Sequence, residues 1–273
     1  MADAEYDYDL FIAVYACDTI PLYRSQIALI EETYGALILA EFPKIKMVYF
    51  LGDQTDSHRW ADQTDCQSAD LDLAVCNRHI HLPGVKNDYL SASYKQWNGM
   101  KYAYENIRAK FSMYIGTDTY LNVRKLAKYL SGLDPARPQY IGGHGGHIRF
   151  ADKDLYFHSG GPGFVLSAAA LALVYPRIRS PDEYVREWTQ QCSEWDCAQL
   201  VPACDVAIAH LIDTHFPEIE EVIDDCAFIN CTHEGWPCHH GQIDVAKVCA
   251  CHNMNSGEFE RYTKLLEDNH GFV

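Results

Sequence analysis

Residues Phe111–Val123 read Phe-Ser-Met-Tyr-Ile-Gly-Thr-Asp-Thr-Tyr-Leu-Asn-Val. The first five are apolar or aromatic apart from one serine, and Gly116 closes the run, which is typical of a short buried strand. Apolar residues then recur at helical spacing, at Val123, Leu126, Leu130 and Leu133. Between the two patterns stands a single carboxylate, Asp118, where an open α/β sheet binds its ligand. The alternative is a plain strand-to-helix turn, because Asp and Thr both favour turns.

The composition limits the class of protein. The chain has 273 residues, 48% of them hydrophobic, so it can bury the core of one large domain or of two tightly fused halves. No run of about 20 apolar residues is present, and we therefore expect no transmembrane helix. Lys and Arg total 22 against 38 Asp and Glu, a formal net charge of −16. Such a charge argues against nucleic acid and anionic membranes as partners.

The N-terminus and the cysteines bear on the compartment. Residues 1–9 are rich in acidic side chains, and no basic-then-apolar signal peptide precedes the first apolar run. We therefore expect a cytoplasmic or otherwise soluble chain, unless an N-terminal anchor has been removed. The 11 cysteines are an odd number, so at least one thiol is free or pairs between chains.

The first part of the chain alternates strand and helix patterns. Leu10–Tyr15 and Lys46–Leu51 are largely apolar runs that predict buried strands, with a helix between them that ends at Gly35 as its C-cap. This βαβ spacing predicts parallel strands. Asp53 closely follows the second run, so it is another carboxylate at a strand end. Residues 57–88 are polar and irregular, which indicates a loop.

A long amphipathic helix is predicted from Tyr89 to Ile107, because its apolar residues recur at three- and four-residue steps. For Trp97 and Tyr104 in this helix, we expect packing in the core in preference to a ligand role. Together with the strand that begins at Phe111, the alternation up to this point is typical of a nucleotide-binding sheet.

The second part of the chain has a different pattern. After a short strand at Tyr140, the stretch Phe157–Ser167 places three glycines before an apolar run, where they allow close approach of the backbone to a ligand or to another segment. Ser167 is expected to cap a helix over 168–175. Asp205 lies in the first turn of a further helix, where it suits the helix dipole and could simply be a capping residue.

Five stretches, in this order, resemble the fringe and core 1 β1,3-galactosyltransferase family. They are Arg24 through Thr33-Tyr34-Gly35, Lys95-Gln-Trp-Asn-Gly-Met-Lys, Asp118-Thr-Tyr-Leu, Ser159-Gly-Gly-Pro-Gly-Phe-Val-Leu-Ser and Cys204-Asp-Val. The resemblance runs from about Phe11 to His252, with gaps. It implies an inverting glycosyltransferase with a GT-A-like α/β fold, whose mostly parallel central sheet is flanked by helices, with a smaller mixed acceptor-side half.

The implied arrangement is a single glycosyltransferase domain over residues 1–273. The nucleotide sugar would bind to about residues 1–122, and the acceptor to about residues 123–273, which include a tail rich in Cys and His. If an N-terminal anchor has been removed, the resemblance implies the Golgi lumen as the compartment.

The metal site departs from the family pattern. Gly116, Thr117 and Asp118 stand at the positions of three family aspartates, so only one of the three carboxylates remains. The last of the three is the metal ligand, and the resemblance implies that Asp118 keeps this role. The family completes its site with a histidine, for which His252 is best placed; the competitors are His215, His239 and His240. Since imidazole suits Mn²⁺ better than Mg²⁺, Mn²⁺ is the expected cation, with Mg²⁺ as the alternative.

The resemblance also assigns roles to other residues. Asp205 stands at the position of the family's base, where a carboxylate can accept the proton of the acceptor hydroxyl, and Cys204 replaces the first of the paired acids there. The implied nucleotide-binding residues are Arg24, Asp53, Lys95, Thr117 and Asp118. The implied substrate-binding residues are Gly160, Gly161, Gly163 and Phe164.

The expected reaction moves a hexose or an N-acetylhexosamine from a UDP-sugar to a hydroxyl of a glycan or glycoprotein, in a β1,3-linkage. A divalent cation would offset the charge of the leaving diphosphate. Two alternatives stay open. One is an inactive relative that binds a glycan or chaperones another transferase. The other is a zinc-stabilised binding module with ligands among residues Cys226–His252, whose cysteines could equally form disulfides.

Overall fold

The computed structural model describes residues 5–53, 78–88, 91–150, 153–230 and 247–252. The strands are β1 (Tyr8–Tyr15), β2 (Ile45–Leu51), β3 (His79–His81), β4 (Ala109–Ile115), β5 (Tyr120–Leu121), β6 (Gln139–Gly142), β7 (His144–Phe150), β8 (Lys153–His158), β9 (Phe164–Ser167), β10 (Glu220–Ile223), β11 (Phe228–Ile229) and β12 (Ala250–Cys251). The helices are α1 (Pro21–Ile30), α2 (Ala36–Glu41), α3 (Ala92–Asn106), α4 (Val123–Ser131), α5 (Ala168–Ile178), α6 (Pro181–Glu194) and α7 (Cys204–His215).

Seven of the described strands form one sheet in the order β10-β6-β9-β4-β1-β2-β3. Four of its pairings are parallel, and the two antiparallel ones both involve β9. Helices cover both faces of this sheet. The predicted fold class, a mostly parallel central sheet flanked by helices, is therefore confirmed.

The alternation of side chains along β1 explains why its sequence is apolar throughout. Leu10, Ile12 and Val14 pack into a cluster with α1, α2 and α4. Phe11 and Ala13 pack into a second cluster with α3 and α5–α7. A strand that is buried on both faces needs apolar side chains at every position, which is the pattern of a parallel sheet between two layers of helices.

Two smaller sheets complete the described strands. β7 and β8 form an antiparallel hairpin. β12 lies between β11 and β5, parallel to the first and antiparallel to the second. No helix among the described residues is long and apolar enough to cross a membrane.

The structure corrects several local predictions. Gly35 is not the C-cap of a helix, because its backbone is right-handed (φ −66°, ψ −46°) and the chain continues into α2. The π-helical turn Glu31–Gly35 that precedes α2 is kinked at Thr33 (φ −112°, ψ −109°). Tyr104 is not a core residue: it is 44% exposed and stacks on Tyr175, with ring centroids 3.9 Å apart. Trp97 is fully buried, as predicted.

Other predictions fall on segment boundaries. Leu133 lies beyond the end of α4, although it still packs against the core. Within the predicted loop over 57–88, residues His79–His81 form β3, while residues 54–77 lie outside the described part of the chain. The sequence also predicts a last helix capped by Ser256, and this segment lies outside the described residues.

The π-helical turn is tied to the segment that follows β4. The buried Tyr34 hydroxyl donates a hydrogen bond to the carbonyl oxygen of Thr119 (3.0 Å). Replacing Tyr34 by Phe removes this bond and leaves a buried carbonyl unpaired, so we expect the free energy of unfolding to fall by about 1 kcal/mol. Urea unfolding measures this change. The control is Tyr104→Phe, which alters an exposed ring; an equal loss in both variants would contradict the role given to the Tyr34 bond.

Candidate active site

A cleft of about 480 Å³ opens at the carboxyl ends of β1 and β4. This is the edge at which open α/β sheets bind ligands. The cleft is lined by Tyr15, Ala16, Cys17, Tyr23, Asp88, Ala92, Lys95, Gly116, Thr117, Asp118, Ser159, Gly160, Gly161, Pro202, Ala203, Cys204, Asp205 and His252. The lining therefore combines residues from segments that are far apart in the sequence.

Asp118 and His252 meet at one side of this cleft. The His252 Nε2 atom lies 3.1 Å from Asp118 Oδ2, and both side chains keep part of their surface exposed, 22% for His252 and 34% for Asp118. Their meeting follows from the small sheet. Cys251 of β12 pairs with Tyr120 of β5. This pairing places His252, which follows β12, beside the turn that contains Asp118 and precedes β5. The backbone N–H of His252 also donates to the carbonyl of Ile229 (3.0 Å).

The glycine-containing loop before β9 is held by hydroxyl groups at the sheet edge. Tyr15 donates to the carbonyl of Gly160 (3.0 Å), and Thr119 donates to the carbonyl of Gly161 (2.7 Å). A Cβ atom on Gly161 would lie 2.2 Å from His252 Nδ1. Only glycine therefore permits the loop to approach the imidazole at this position.

Asp205 lies in the first turn of α7, and both of its carboxylate oxygens accept hydrogen bonds from backbone N–H groups. Oδ2 accepts a hydrogen bond from the N–H of Gly160 (2.9 Å), and Oδ1 accepts one from the N–H of Val206 (2.9 Å). Burial raises the pKa of Asp205 above the usual range of an aspartic acid, while the two backbone N–H groups act in the opposite direction. A carboxylate with a raised pKa at the wall of a cleft is suited to accept a proton.

The neighbouring Cys204 has no such chemistry. Its thiol is buried, and burial, with the nearby charge of Asp205, raises the pKa of the thiol. Cys204 is therefore protonated and neutral at physiological pH. Although Cys204 stands at the position of a family acid, it therefore cannot act as a carboxylate does.

Lys95 supplies a basic group to the cleft lining. Its side chain is 2% exposed, and its Nζ donates a hydrogen bond to the carbonyl of Asp88 (3.1 Å). Burial lowers the pKa of Lys95, and the neighbouring Cys17 and Asp88 oppose this shift. With Asp88, Asp118 and Asp205 against Lys95 alone, and with His252 neutral, the lining has a formal charge of −2.

The structure brings most of the predicted site residues together, but not all of them. Thr117 is in the lining and donates a hydrogen bond to the Gln26 side chain (2.7 Å). Arg24 lies outside the lining, and its guanidinium donates two hydrogen bonds to the carbonyl of Asp18. Asp53 also lies outside it, because its carboxylate accepts a hydrogen bond from the N–H of Gly84 (3.1 Å) and closes a loop instead.

Two of the predicted substrate contacts, Gly163 and Phe164, lie outside the cleft lining. Phe164 is fully buried in β9 and packs against Tyr114, so it offers no surface to a substrate. Gly163 adopts φ +84°, and a Cβ atom there would lie 2.5 Å from Ile115. Glycine at this position allows the segment before β9 to approach β4 closely beneath the cleft. Of the four predicted residues, Gly160 and Gly161 line the cleft.

Of the competing metal ligands, the structure describes His215 alone, and it lies outside the cleft lining. His215 is exposed at the end of α7, beside Arg177, and the predicted candidates His239 and His240 lie outside the described residues. Of the cysteines in the proposed zinc module, Cys249 and Cys251 are buried. Within the described ranges, no group of three or more His, Cys, Asp or Glu side chains could hold a metal ion.

Several lining residues were not identified from the sequence. Tyr15 and Cys17 follow from the rule already applied to Asp118, because they stand at the carboxyl end of a predicted parallel strand. Asn230, which contacts Ser159 and His252 but lies outside the lining, had no such signal. Its side chain accepts a hydrogen bond from the hydroxyl of Ser159 (2.7 Å) and lies 3.3 Å from His252 Nδ1, a contact that only the tertiary fold creates.

Comparisons with solved structures give distant likenesses. A glycosyltransferase involved in the glycosylation of the major capsid of PBCV-1 is 12% identical, with a TM-score of 0.48 over 94% of this chain and 98% of that chain. The galactosyltransferase LgtC is 11% identical, with a TM-score of 0.48 over 94% and 95%. Mouse xyloside xylosyltransferase 1 is 14% identical, with a TM-score of 0.40 over 91% and 98%.

Sequence comparison gives the family. No curated protein sequence matches the chain. The family model described as Fringe-like matches residues 6–200, well over half of the chain. The matched span includes Lys95, Asp118 and the glycines of the cleft, whereas Asp205 and His252 lie beyond its end. The chain therefore belongs to the Fringe-like family of glycosyltransferases.

Proposed function

We propose that this cleft binds a UDP-sugar together with a divalent cation and transfers the sugar, with inversion, to a hydroxyl of a glycan or glycoprotein. The donor sugar would be a hexose or an N-acetylhexosamine. The observation that carries the proposal is the convergence of Asp118, His252 and Asp205 on one cleft at the carboxyl edge of the sheet. The family gives the reaction class, and the arrangement of these three side chains supports the roles below.

The described residues fit a divalent cation at Asp118 and His252. Two adjacent ligands of an octahedral cation, each about 2.1 Å from the metal, lie roughly 3 Å apart. The separation of 3.1 Å between Asp118 Oδ2 and His252 Nε2 has this size. The remaining ligands would be oxygen atoms of the diphosphate and of water. A carboxylate paired with an imidazole favours Mn²⁺ over Mg²⁺.

Charge gives a second reason for the cation. The diphosphate of a nucleotide sugar is an anion, yet the lining has a formal charge of −2 and the whole chain −16. When bound, the cation would act as a Lewis acid that offsets the charge of the leaving UDP. Lys95 would contribute the protein's own positive charge, on the same side of the cleft as Cys17 and Asp88.

Asp205 would serve as the base. As the acceptor oxygen bonds to the anomeric carbon, the bond from that carbon to the diphosphate breaks, UDP leaves, and the acceptor proton passes to Asp205. Attack from the face opposite to UDP inverts an α-linked donor and gives a β-linkage, expected to be β1,3. The N–H of Gly160 fixes one oxygen of the carboxylate, so the base is oriented before the acceptor arrives.

The first test addresses binding. Ligands that bind only the folded state raise the thermal unfolding midpoint. We expect UDP with Mn²⁺ to raise the midpoint of the parent protein and to have little effect on Asp118→Asn, because the amide is a poorer ligand than the carboxylate. Differential scanning fluorimetry measures this shift. The control is Asp9→Asn, an acid of β1 that pairs with Lys110 outside the cleft lining. An equal shift in Asp118→Asn and the parent would remove Asp118 from the site.

The second test addresses the base. Asp205→Asn keeps the shape of the side chain and removes its basicity. We expect kcat with UDP-galactose or UDP-N-acetylglucosamine to fall about a hundredfold or more, while the affinity for the donor stays close to that of the parent. Release of UDP measures turnover, both with water and with a β-galactoside acceptor.

The control for this variant is Asp213→Asn, an exposed acid near the end of the same helix. The pH profile gives an independent reading. Because the pKa of Asp205 is raised, the parent kcat should fall as the pH drops through a value above the usual aspartic acid range, and Asp205→Asn should lack this fall. Near-parent turnover in Asp205→Asn, or an α-linked product, would refute the assignment. A folded parent that binds UDP but never releases it from a UDP-sugar would favour the inactive relative.

A further inference from the structure

The peptide group that joins Cys204 to Asp205 is held from outside α7. Gln96, a residue of α3 with no exposed surface, donates a hydrogen bond from Nε2 to the carbonyl oxygen of Cys204 (3.1 Å). That carbonyl belongs to the planar unit that also contains the N–H of Asp205. The bond from Gln96 therefore restricts rotation of the peptide plane from which the Asp205 side chain projects.

The other anchors of this segment act on different peptide groups. Ser93 of α3 donates to the carbonyls of Val201 and Pro202 (3.4 and 3.3 Å). Tyr184 donates to the carbonyl of Ala207 (2.8 Å). In the described part of the chain, no side chain caps the start of α7. Gln96 is thus placed to fix the peptide unit next to the proposed base.

We propose that Gln96 is a positioning residue that orients the Asp205 carboxylate toward the N–H of Gly160 and the cleft. The inference rests on the proposed function, in which Asp205 is the base. Gln96 directly follows Lys95, so adjacent residues of α3 contribute a side chain to the cleft lining and a hydrogen bond to the peptide group before Asp205. Displacement of a catalytic group by about 1 Å can lower the reaction rate by about a hundredfold. A hydrogen bond that fixes the peptide group next to the proposed base can therefore affect the rate.

The chain offers a matched control for this role. The Oε1 atom of Gln96 is buried and has no hydrogen-bond partner among the described residues. Gln139, at the start of β6, has the same features: it is 4% exposed, its Nε2 donates to Glu220 (2.9 Å), and its Oε1 is also unpartnered there. Since β6 runs parallel to β4, Gln139 lies at the sheet edge opposite the cleft.

The experiment compares Gln96→Met with Gln139→Met in the full chain. Methionine is similar in size to glutamine. The substitution removes both the hydrogen-bond donor and the unpaired side-chain carbonyl, so the fold should tolerate it at either position. With Mn²⁺ and either UDP-galactose or UDP-N-acetylglucosamine, we expect kcat of Gln96→Met to fall about tenfold or more, while KM for the donor changes less than about twofold. Gln139→Met should match the parent in both constants.

A second variant guards against a folding defect. Gln96→Leu is also similar in size to glutamine and removes the donor without adding a buried charge, so the same selective fall in kcat is expected. Parent-like kcat in both Gln96 variants, beside a slow Asp205→Asn, would overturn the positioning role alone. An equal loss of kcat in Gln96→Met and Gln139→Met would overturn it too, by showing a general effect on the fold. Parent-like kcat in Asp205→Asn would overturn the proposed base and this inference together.

Discussion

The antiparallel pairing of β9 with β4 is the constraint on which the cleft depends. Parallel strands deliver their carboxyl ends to one edge of a sheet, and β1 and β4 do so with Tyr15 and Asp118. An inserted antiparallel strand instead delivers its beginning to that edge. Because Phe164 pairs with Tyr114, the Gly160 loop arrives where β4 ends. The donor-side carboxylate and the loop that orients the proposed base are thereby brought to the same opening.

The second requirement is the burial of charge at this edge. Lys95 is buried and Asp205 is partly buried, and burial shifts the pKa of each in the direction that favours its neutral form. Such groups reduce folding stability, which the apolar clusters on both faces of the sheet can offset. Backbone donors at Gly160 and Val206 keep the Asp205 carboxylate oriented at low entropic cost. In this site, as in other functional sites, polar side chains occupy buried or partly buried positions at which apolar side chains would give a more stable fold.

How much of this could be predicted from sequence depended on the range of the interaction. The strand before Asp118 and the helix around Trp97 follow from local periodicity, and both were found. The contact of His252 with Asp118 requires pairing of two-residue strands, which carry no pattern of their own. Asp118 was identified from its place at a strand end, whereas His252 was assigned to the same site only through the family resemblance. The full burial of Phe164, predicted as a substrate contact, could not be foreseen because an apolar residue after glycines does not reveal its depth. The role of Gln96 could not be read from the amphipathic pattern of its helix, because its hydrogen-bond partner is the backbone carbonyl of Cys204, which is distant in sequence.

A structure of the protein with Mn²⁺ and a slowly reacting fluorinated UDP-galactose tests the central claim most directly. The account predicts the diphosphate and the cation beside Asp118 Oδ2 and His252 Nε2, and the anomeric carbon facing the Asp205 carboxylate. It further predicts that Gly160 still donates to that carboxylate in the complex. A nucleotide bound elsewhere on the chain, or a cation that contacts neither Asp118 nor His252, would contradict the account.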